Sequence, residues 1–413
     1  MKIPSLIKVR HVFNNEHIRD IEGTVREQMQ SSGVKIDKGS NIAIAVGSRG
    51  IKNIHRIVKA AVQYVKDMGG FPFIVPAMGS HGGATAEGQR GVLEGYGVTE
   101  EYTGAPIRSS MQVVELPQEG LENKVYMDKN AYEADGTIII NRIKYHTDFH
   151  GSHESGLMKI CVVGLGKHKQ ALELHKYGVK GLKDMIVPTA RQILKHGNII
   201  MGIGIVENAY DDTAIIKALK PDEIENEEAK LLEISKGNMP YFPVDKFDLL
   251  IIDEMGKNIS GTGVDTNIIG RIGIRGEKEP EKPYITNIVI TDLTEESHGN
   301  GLGVGLADII TKRLFNKIDL KITYENVLTS NFLKRGSIPI IADTDRRAVE
   351  YALRTCGPIE TENARIIRIK NTLELGEIYV SQSILEEVRD NRNIEVIGEL
   401  RDLFGDGSEL VYF

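Results

Sequence analysis

The chain has 413 residues, with 51 Lys and Arg against 58 Asp and Glu for a formal charge of −7, and 41% of it is hydrophobic. Only Cys161 and Cys356 are present, which excludes a disulfide scaffold and fits a reducing compartment, and the acidic balance without Lys/Arg clusters argues against a nucleic-acid surface. No apolar run nears the roughly 20 residues that cross a bilayer, and the opening MKIPSLIKVRHVFNNEH has no signal-like apolar stretch, so a cytoplasmic protein without a membrane partner is expected.

At about 100 to 200 residues per domain, the length suggests two or three domains. In chain order, NIAIAV (41–46) reads as a buried strand, and residues 53–68 carry Ile54, Ile57, Val58, Ala61, Val62 and Val65 at helical spacing before Gly69-Gly70 stop the helix. FPFIVP (71–76) is the next strand, followed by a glycine-rich turn at 79–83 and a helix from about Thr85, which makes a βαβ unit with parallel pairing expected. Further strands are expected at 136–141 and 198–206. The acidic stretch 221–236 reads as helix-like, and GNMPYFPVDK after it, rich in turn formers, as the linker. Beyond it the alternation restarts with strands at 247–253 and 287–291, a helix over 305–314, a strand at 338–342 and a helix over 345–354. Helical stretches are expected at 383–389 and near Glu399. The fold class is thus α/β: an N-terminal domain over 1–240, a smaller C-terminal domain over 245–372, and a tail, 373–413, expected to pack back on the N-terminal domain. The active site is expected in the cleft between the two domains.

Glycine is abundant, 43 residues against a usual share of about 7%, and the chemistry-bearing turns are rich in it. Ser48-Arg49-Gly50 follows the first strand and Gly79-Ser80-His81-Gly82-Gly83 the next, at the carboxyl ends where open α/β sheets bind ligands. Arg49 has the fork geometry for a carboxylate or phosphate; as a bare turn the segment would leave it solvated. Five of the eleven histidines, His146, His150, His153, His168 and His175, fall within thirty residues. Imidazole is a common metal ligand and a proton carrier near neutral pH, so this segment reads either as a metal or acid/base site or as exposed loop histidines. Neither H-E-x-x-H nor G-x-S-x-G occurs there. In the second domain Gly301 and Gly303 invite a dinucleotide reading, but the third glycine would fall at 306, which is Leu306, so a close-packed turn is expected instead.

Taken together these motifs resemble the nickel-pincer-nucleotide lactate racemase family of 2-hydroxy-acid racemases and epimerases. The resemblance runs over most of the chain. It is carried by Ser48-Arg49, by Met78-Gly79-Ser80-His81 with Glu87 following, by His146 ahead of Gly156-Leu157-Met158-Lys159, and by His175 sixteen residues after that lysine. Ser260-Gly261-Thr262-Gly263-Val264-Asp265-Thr266-Asn267 and Ser297-His298-Gly299-Asn300 continue it in the second domain.

The resemblance implies an isomerase with a covalently held nickel-pincer nucleotide: Lys159 as the tether, His175 as the protein ligand of nickel, His81 and His146 as the two acid/base groups, and Arg49 as the anion-binding arginine. Inverting a carbinol carbon by hydride removal and return requires a proton acceptor for either enantiomer, hence two bases. Family members active on lactate have an acidic residue where this chain has Val46, and a glutamine and a lysine where it has Gly270 and Gly273, with Arg271 or Arg275 as substitutes. That points from lactate toward another small anionic 2-hydroxy acid, such as a sugar acid, as substrate, with cofactor-synthesis proteins as partners. His150, nine positions before Lys159, rivals His146, which stands thirteen before it. Two other readings stay open: a metal-dependent hydrolase or lyase using His146, His150, His153 or His175 with Glu154 as base, and a carrier for an anionic nucleotide bound by Arg49 and the His81 loop.

Overall fold

A computed structural model describes residues 1–47, 50–405 and 407–411. The chain divides into two compact units, one of residues 14–239 and the other of residues 1–13 with 240–413. No helix among the described residues is long and apolar enough to cross a membrane.

The unit of residues 14–239 is built on a five-stranded sheet in the order Phe71–Pro76, Asn41–Val46, Gly136–Arg142, Ile199–Glu207 and Thr213–Leu219. The first four strands are parallel and the last is antiparallel. Their near-continuous apolar sequence is what a sheet covered on both faces requires. Ile42, Ile44, Ile138 and Ile140 face one core with helices Ile21–Ser31 and Ile54–Asp67, and Ala43, Ala45, Phe73, Val75 and Ile139 face the other. The second core takes in Leu157, Ile160 and the apolar sides of helices Ile186–His196 and Ile224–Gly237. The acidic stretch read as helix-like forms helix Ile224–Gly237, which buries Ile224, Leu231 and Leu232 in this core, and the boundary between the units at 239/240 falls in the turn-rich segment that follows.

The other unit carries an eight-stranded sheet in the order Ile340–Ala342, Ile309–Thr311, Tyr284–Ile290, Lys246–Ile252, Ile366–Ile369, Glu377–Ser381, Leu6–His11 and Ile394–Val396. The first five strands are parallel and the remaining pairings antiparallel. Helix Asp345–Arg354 seals one face through Ala348, Val349, Ala352 and Leu353. Segment 373–413, expected to pack on the N-terminal domain, instead pairs in this sheet, with Val9 opposite Ile378 and Val396. The first strand thus belongs with residues more than 360 positions away, a pairing that local periodicity does not encode.

Two other expectations fail locally. The helix over 305–314 is replaced by strand Ile309–Thr311 and helix Lys312–Lys317, whose N-cap is Thr311. The β-branched run Ile309-Ile310-Thr311 favours extended backbone and fills the slot between two parallel strands. Near Glu399 there is no helix: Arg401 exchanges backbone hydrogen bonds of 2.8 Å with Leu6, extending the sheet edge.

Candidate active site

Three adjacent strands of the 14–239 unit, Phe71–Pro76, Asn41–Val46 and Gly136–Arg142, end at one edge of the sheet. The loops leaving them are packed together by close backbone approach. Asn141 donates through Nδ2 to the Gly156 carbonyl (2.9 Å), and a Cβ on Gly47 would lie 2.5 Å from its Oδ1. The amide of Gly79 donates to the carbonyl of Gly164 (3.4 Å), and a Cβ there would meet Val163 at 3.0 Å. The His81 loop therefore rests on the turn that follows Lys159. Ser48 and Arg49, expected to bind an anion at this edge, lie outside the described residues.

Lys159 closes the short helix Leu157–Lys159, which runs on into a π-helical turn, Ile160–Gly164, with Leu165 N donating to Ile160 O at 2.8 Å. Such wide turns interrupt regular hydrogen bonding and recur at functional sites. Leu157, Met158 and Ile160 are buried, anchoring the turn while the Lys159 side chain stays half-buried. Beneath it, Glu228 Oε2 accepts from the Met158 amide (2.8 Å), and Gly156 is needed because a Cβ would come within 2.5 Å of the Glu228 carboxyl. Burial pushes the Glu228 carboxyl up to about 7.

The Lys159 Nζ stands 2.5 Å from His146 Nε2, and the His146 ring stacks on Phe149 at 4.4 Å between centroids. The Asp148 amide donates to His146 Nδ1 at 3.0 Å. The short contact joins the two nitrogens, with the direction of donation set by the tautomer of the ring. His175 ends helix Lys167–His175; burial lowers its pKa, charge on Lys159 works in the same direction, and Asp148 opposes. Its ring is thereby kept neutral, as a metal ligand must be.

His81 is exposed, but its backbone is fixed. Gln89 donates through Nε2 to Gly79 O (2.8 Å) and His81 O (3.3 Å), while its Oε1 accepts from the fully buried Lys167 ammonium at 3.2 Å. Lys167 also donates to the Pro76 carbonyl and pairs with Asp128 Oδ2 at 3.2 Å. Burial lowers the pKa of Lys167 and raises that of Asp128.

The hydrolase reading loses its parts. Glu154 is buried and accepts from the amides of His146 (2.6 Å) and Gly151 (3.1 Å), with Lys236 Nζ at 3.4 Å, so it braces the loop. His153 spends both ring nitrogens, on Ser152 Oγ (3.0 Å) and Glu225 O (2.7 Å). His150 lies against the Tyr145 ring with neither nitrogen hydrogen-bonded among the described residues, its Nδ1 standing 3.6 Å from Glu154 Oε2. Among the described residues no three His, Cys, Asp or Glu side chains are grouped to hold a metal.

Arg271, the substitute expected to bind substrate, is spent on its own unit. Its Nη1 donates to Leu306 O (3.0 Å) and Asp308 Oδ2 (2.7 Å), and its Nη2 to Ile285 O (3.0 Å) and Thr286 O (3.1 Å). No donor of those two nitrogens is left for a carboxylate. Gly270 and Gly273 flank it at φ +64° and +63°, left-handed backbone in which a glutamine or lysine would be strained. The Gly301–Gly303 segment is the close-packed turn expected: a Cβ on Gly303 would lie 1.7 Å from the Thr262 carbonyl. Sequence reasoning missed Asn141, Asp148, Glu228 and the Gln89–Lys167–Asp128 network. Only the acidic Glu228 within an otherwise apolar helix stripe, beside Leu231 and Leu232, offered a signal.

A family model described as a domain of unknown function (DUF362) matches residues 44–216, the part that holds these loops. No curated protein matches the chain. Among solved structures, the lactate racemase apoprotein from Thermoanaerobacterium thermosaccharolyticum is similar at a TM-score of 0.49 and 13% sequence identity, over 89% of this chain and 99% of that one.

Proposed function

We propose that the chain is a racemase or epimerase acting at C2 of a small anionic 2-hydroxy acid, with a nickel-pincer nucleotide carried by Lys159. The observation that carries this reading is the Lys159–His146 pair, a lysine held against an imidazole at the ligand-binding edge of a parallel sheet. Lys159 stands against an imidazole that can take its proton, and a neutral His175 is the form nickel needs, so the residues present fit the group. When bound, the group supplies the hydride acceptor that no side chain provides.

The chain's own residues supply the proton chemistry. To take the substrate's hydroxyl proton, His146 must present a lone pair at Nε2, which puts its own proton on Nδ1. The acceptor at hand is the Asp148 carboxylate, Oδ2 at 3.9 Å, so Asp148 exchanges its amide for its carboxylate as the partner of the ring. His81, on the loop braced by Gln89, is the base for the opposite stereoisomer in this reading. Arg49 is the proposed holder of the substrate carboxylate, since Arg271 is occupied. The proposed partners are the anionic substrate and the proteins that make the cofactor.

The test is chain produced together with cofactor-synthesis proteins, mapped by peptide mass and assayed on pure enantiomers of lactate and of aldonates. A mass increase on the peptide holding Lys159, with interconversion of one substrate pair, is the expected result. Fully active enzyme with an unmodified Lys159 overturns the reading.

A further inference from the structure

In the unit of residues 1–13 and 240–413, a cavity of about 940 Å³ lies by the amino-terminal halves of strands Tyr284–Ile290, Ile309–Thr311 and Ile340–Ala342, next to the last turn of helix Asp345–Arg354. This is the edge of the sheet opposite its carboxyl-end loops, and none of the residues assigned above to the reaction lines it. The volume is in the range of small-molecule sites, about 300 to 1,000 Å³, and near its upper end. Its apolar wall comes from Leu306, Ile309, Ile338, Pro339, Ile340 and the Tyr351 ring.

Two acceptors on the cavity wall have an oxygen to spare, one on buried Asn287 and one on part-exposed Asp308. Asn287 is only 8% exposed; its Nδ2 donates to Ala352 O (2.8 Å) and Thr355 Oγ1 (3.0 Å), which fixes the amide's orientation, and its Oδ1 accepts nothing from the described residues. Asp308 repeats the pattern. Its Oδ2 accepts from Arg271 Nη1 and the Ile288 amide, both at 2.7 Å, and its Oδ1 accepts nothing from the described residues. Two cations stand on the exposed side: Arg354, which makes no hydrogen bond or ion pair with the described residues, and Lys334, whose side chain is 64% exposed and pairs with Glu279 only at 4.0 Å.

We propose that this cavity binds a purine nucleotide. A ligand complementary to it needs a donor-bearing edge for Asn287 Oδ1 and Asp308 Oδ1, a flat body for the wall between Ile338, Pro339, Ile340 and Tyr351, and an anionic group for Arg354 and Lys334. A purine nucleoside monophosphate joins those three features in that order. The adenine amino group and the guanine N1–H and N2–H edge both offer the donors, and a small 2-hydroxy acid offers neither the flat body nor the size. The site is independent of the reaction proposed above and stands or falls without it.

The test is calorimetry on the full chain with GMP, AMP, the two nucleosides and inorganic phosphate, with isoleucine methyl NMR to locate the ligand. GMP or AMP should bind and shift the methyls of Ile309, Ile338 and Ile340. Preference for GMP marks the Asp308 carboxylate as the reader of the base, preference for AMP marks Asn287, and either supports the site. Arg354→Ala, at an exposed position, should weaken nucleotide binding about tenfold, the worth of one charge-assisted contact, and leave nucleoside binding unchanged. Ile340→Glu, at a position 60% exposed, should weaken both. No binding of either nucleotide at millimolar concentration, inorganic phosphate binding as tightly as the nucleotides, or methyl shifts elsewhere in the chain would each overturn the proposal.

Discussion

Replacing Glu228 by glutamine tests whether the floor under Lys159 is electrostatically strained. The carboxyl is fully buried, with one oxygen bonded to the Met158 amide at 2.8 Å and the other without a partner among the described residues. Burial lifts its pKa from 4.5 to about 7 in the folded chain. For an acid raised in this way, the folded state binds the proton more tightly than the unfolded state. The full stability is therefore present below pH 4.5 and falls as pH rises toward 7, beyond which the loss is complete. At about 1.4 kcal/mol per pH unit, the two and a half units amount to roughly 3 kcal/mol. Glu228→Gln keeps an oxygen for Met158 and abolishes the titration, but leaves an amide NH₂ without an acceptor, a cost of about 1 to 3 kcal/mol. The variant should be the less stable protein at pH 4.5, and its stability relative to wild type should rise by roughly 3 kcal/mol by pH 8. Urea denaturation followed by circular dichroism at intervals from pH 4.5 to 8 measures that difference. A constant difference across the range would refute the reasoning and mean that Glu228 titrates as it does in the unfolded chain.

Asp148→Asn removes the carboxylate that must receive the Nδ1 proton of His146 while keeping the backbone amide. In loaded enzyme it should lower turnover by on the order of 10²-fold with little change in KM, and an unaltered pH profile would exclude this role. Lys167→Met strands the buried Asp128 and should cost about 3 to 5 kcal/mol; adding Asp128→Asn should restore part of it, read as a shift in Tm. His11 is buried beside Phe13 and Tyr241, and burial lowers its pKa from 6.5 to about 4. Its contribution is complete above pH 6.5 and is lost as pH falls through 4, roughly 3 kcal/mol in all, so His11→Phe should show a shallower acid transition than wild type. The Cys161 thiol, raised by burial and then by Glu228, should resist alkylation in native protein at pH 8 and react once the chain is unfolded.

Features whose cause is local were legible in the sequence. Strand Asn41–Val46, strand Phe71–Pro76 and helix Asp345–Arg354 lie where the apolar periodicity put them, because each is decided by residues within a few positions of one another. The α/β class follows from the same alternation, and the density of histidines between 146 and 175 marked the loop that brings His146 to Lys159. What the tertiary structure alone decided is whatever depends on partners far along the chain. Strand Leu6–His11 finds its place between Glu377–Ser381 and Ile394–Val396, so the ends of the chain share a sheet that no periodicity links. Arg271 reads as a free cation until the carbonyls of Ile285, Thr286 and Leu306 are seen to consume it. Lys167 and Glu228 are buried groups that brace the His81 and Lys159 loops only because Asp128, Gln89 and the Met158 amide are brought to them. A side chain's periodicity states which face it occupies, whereas its charge state and its free donors depend on which distant groups the packing places against that face.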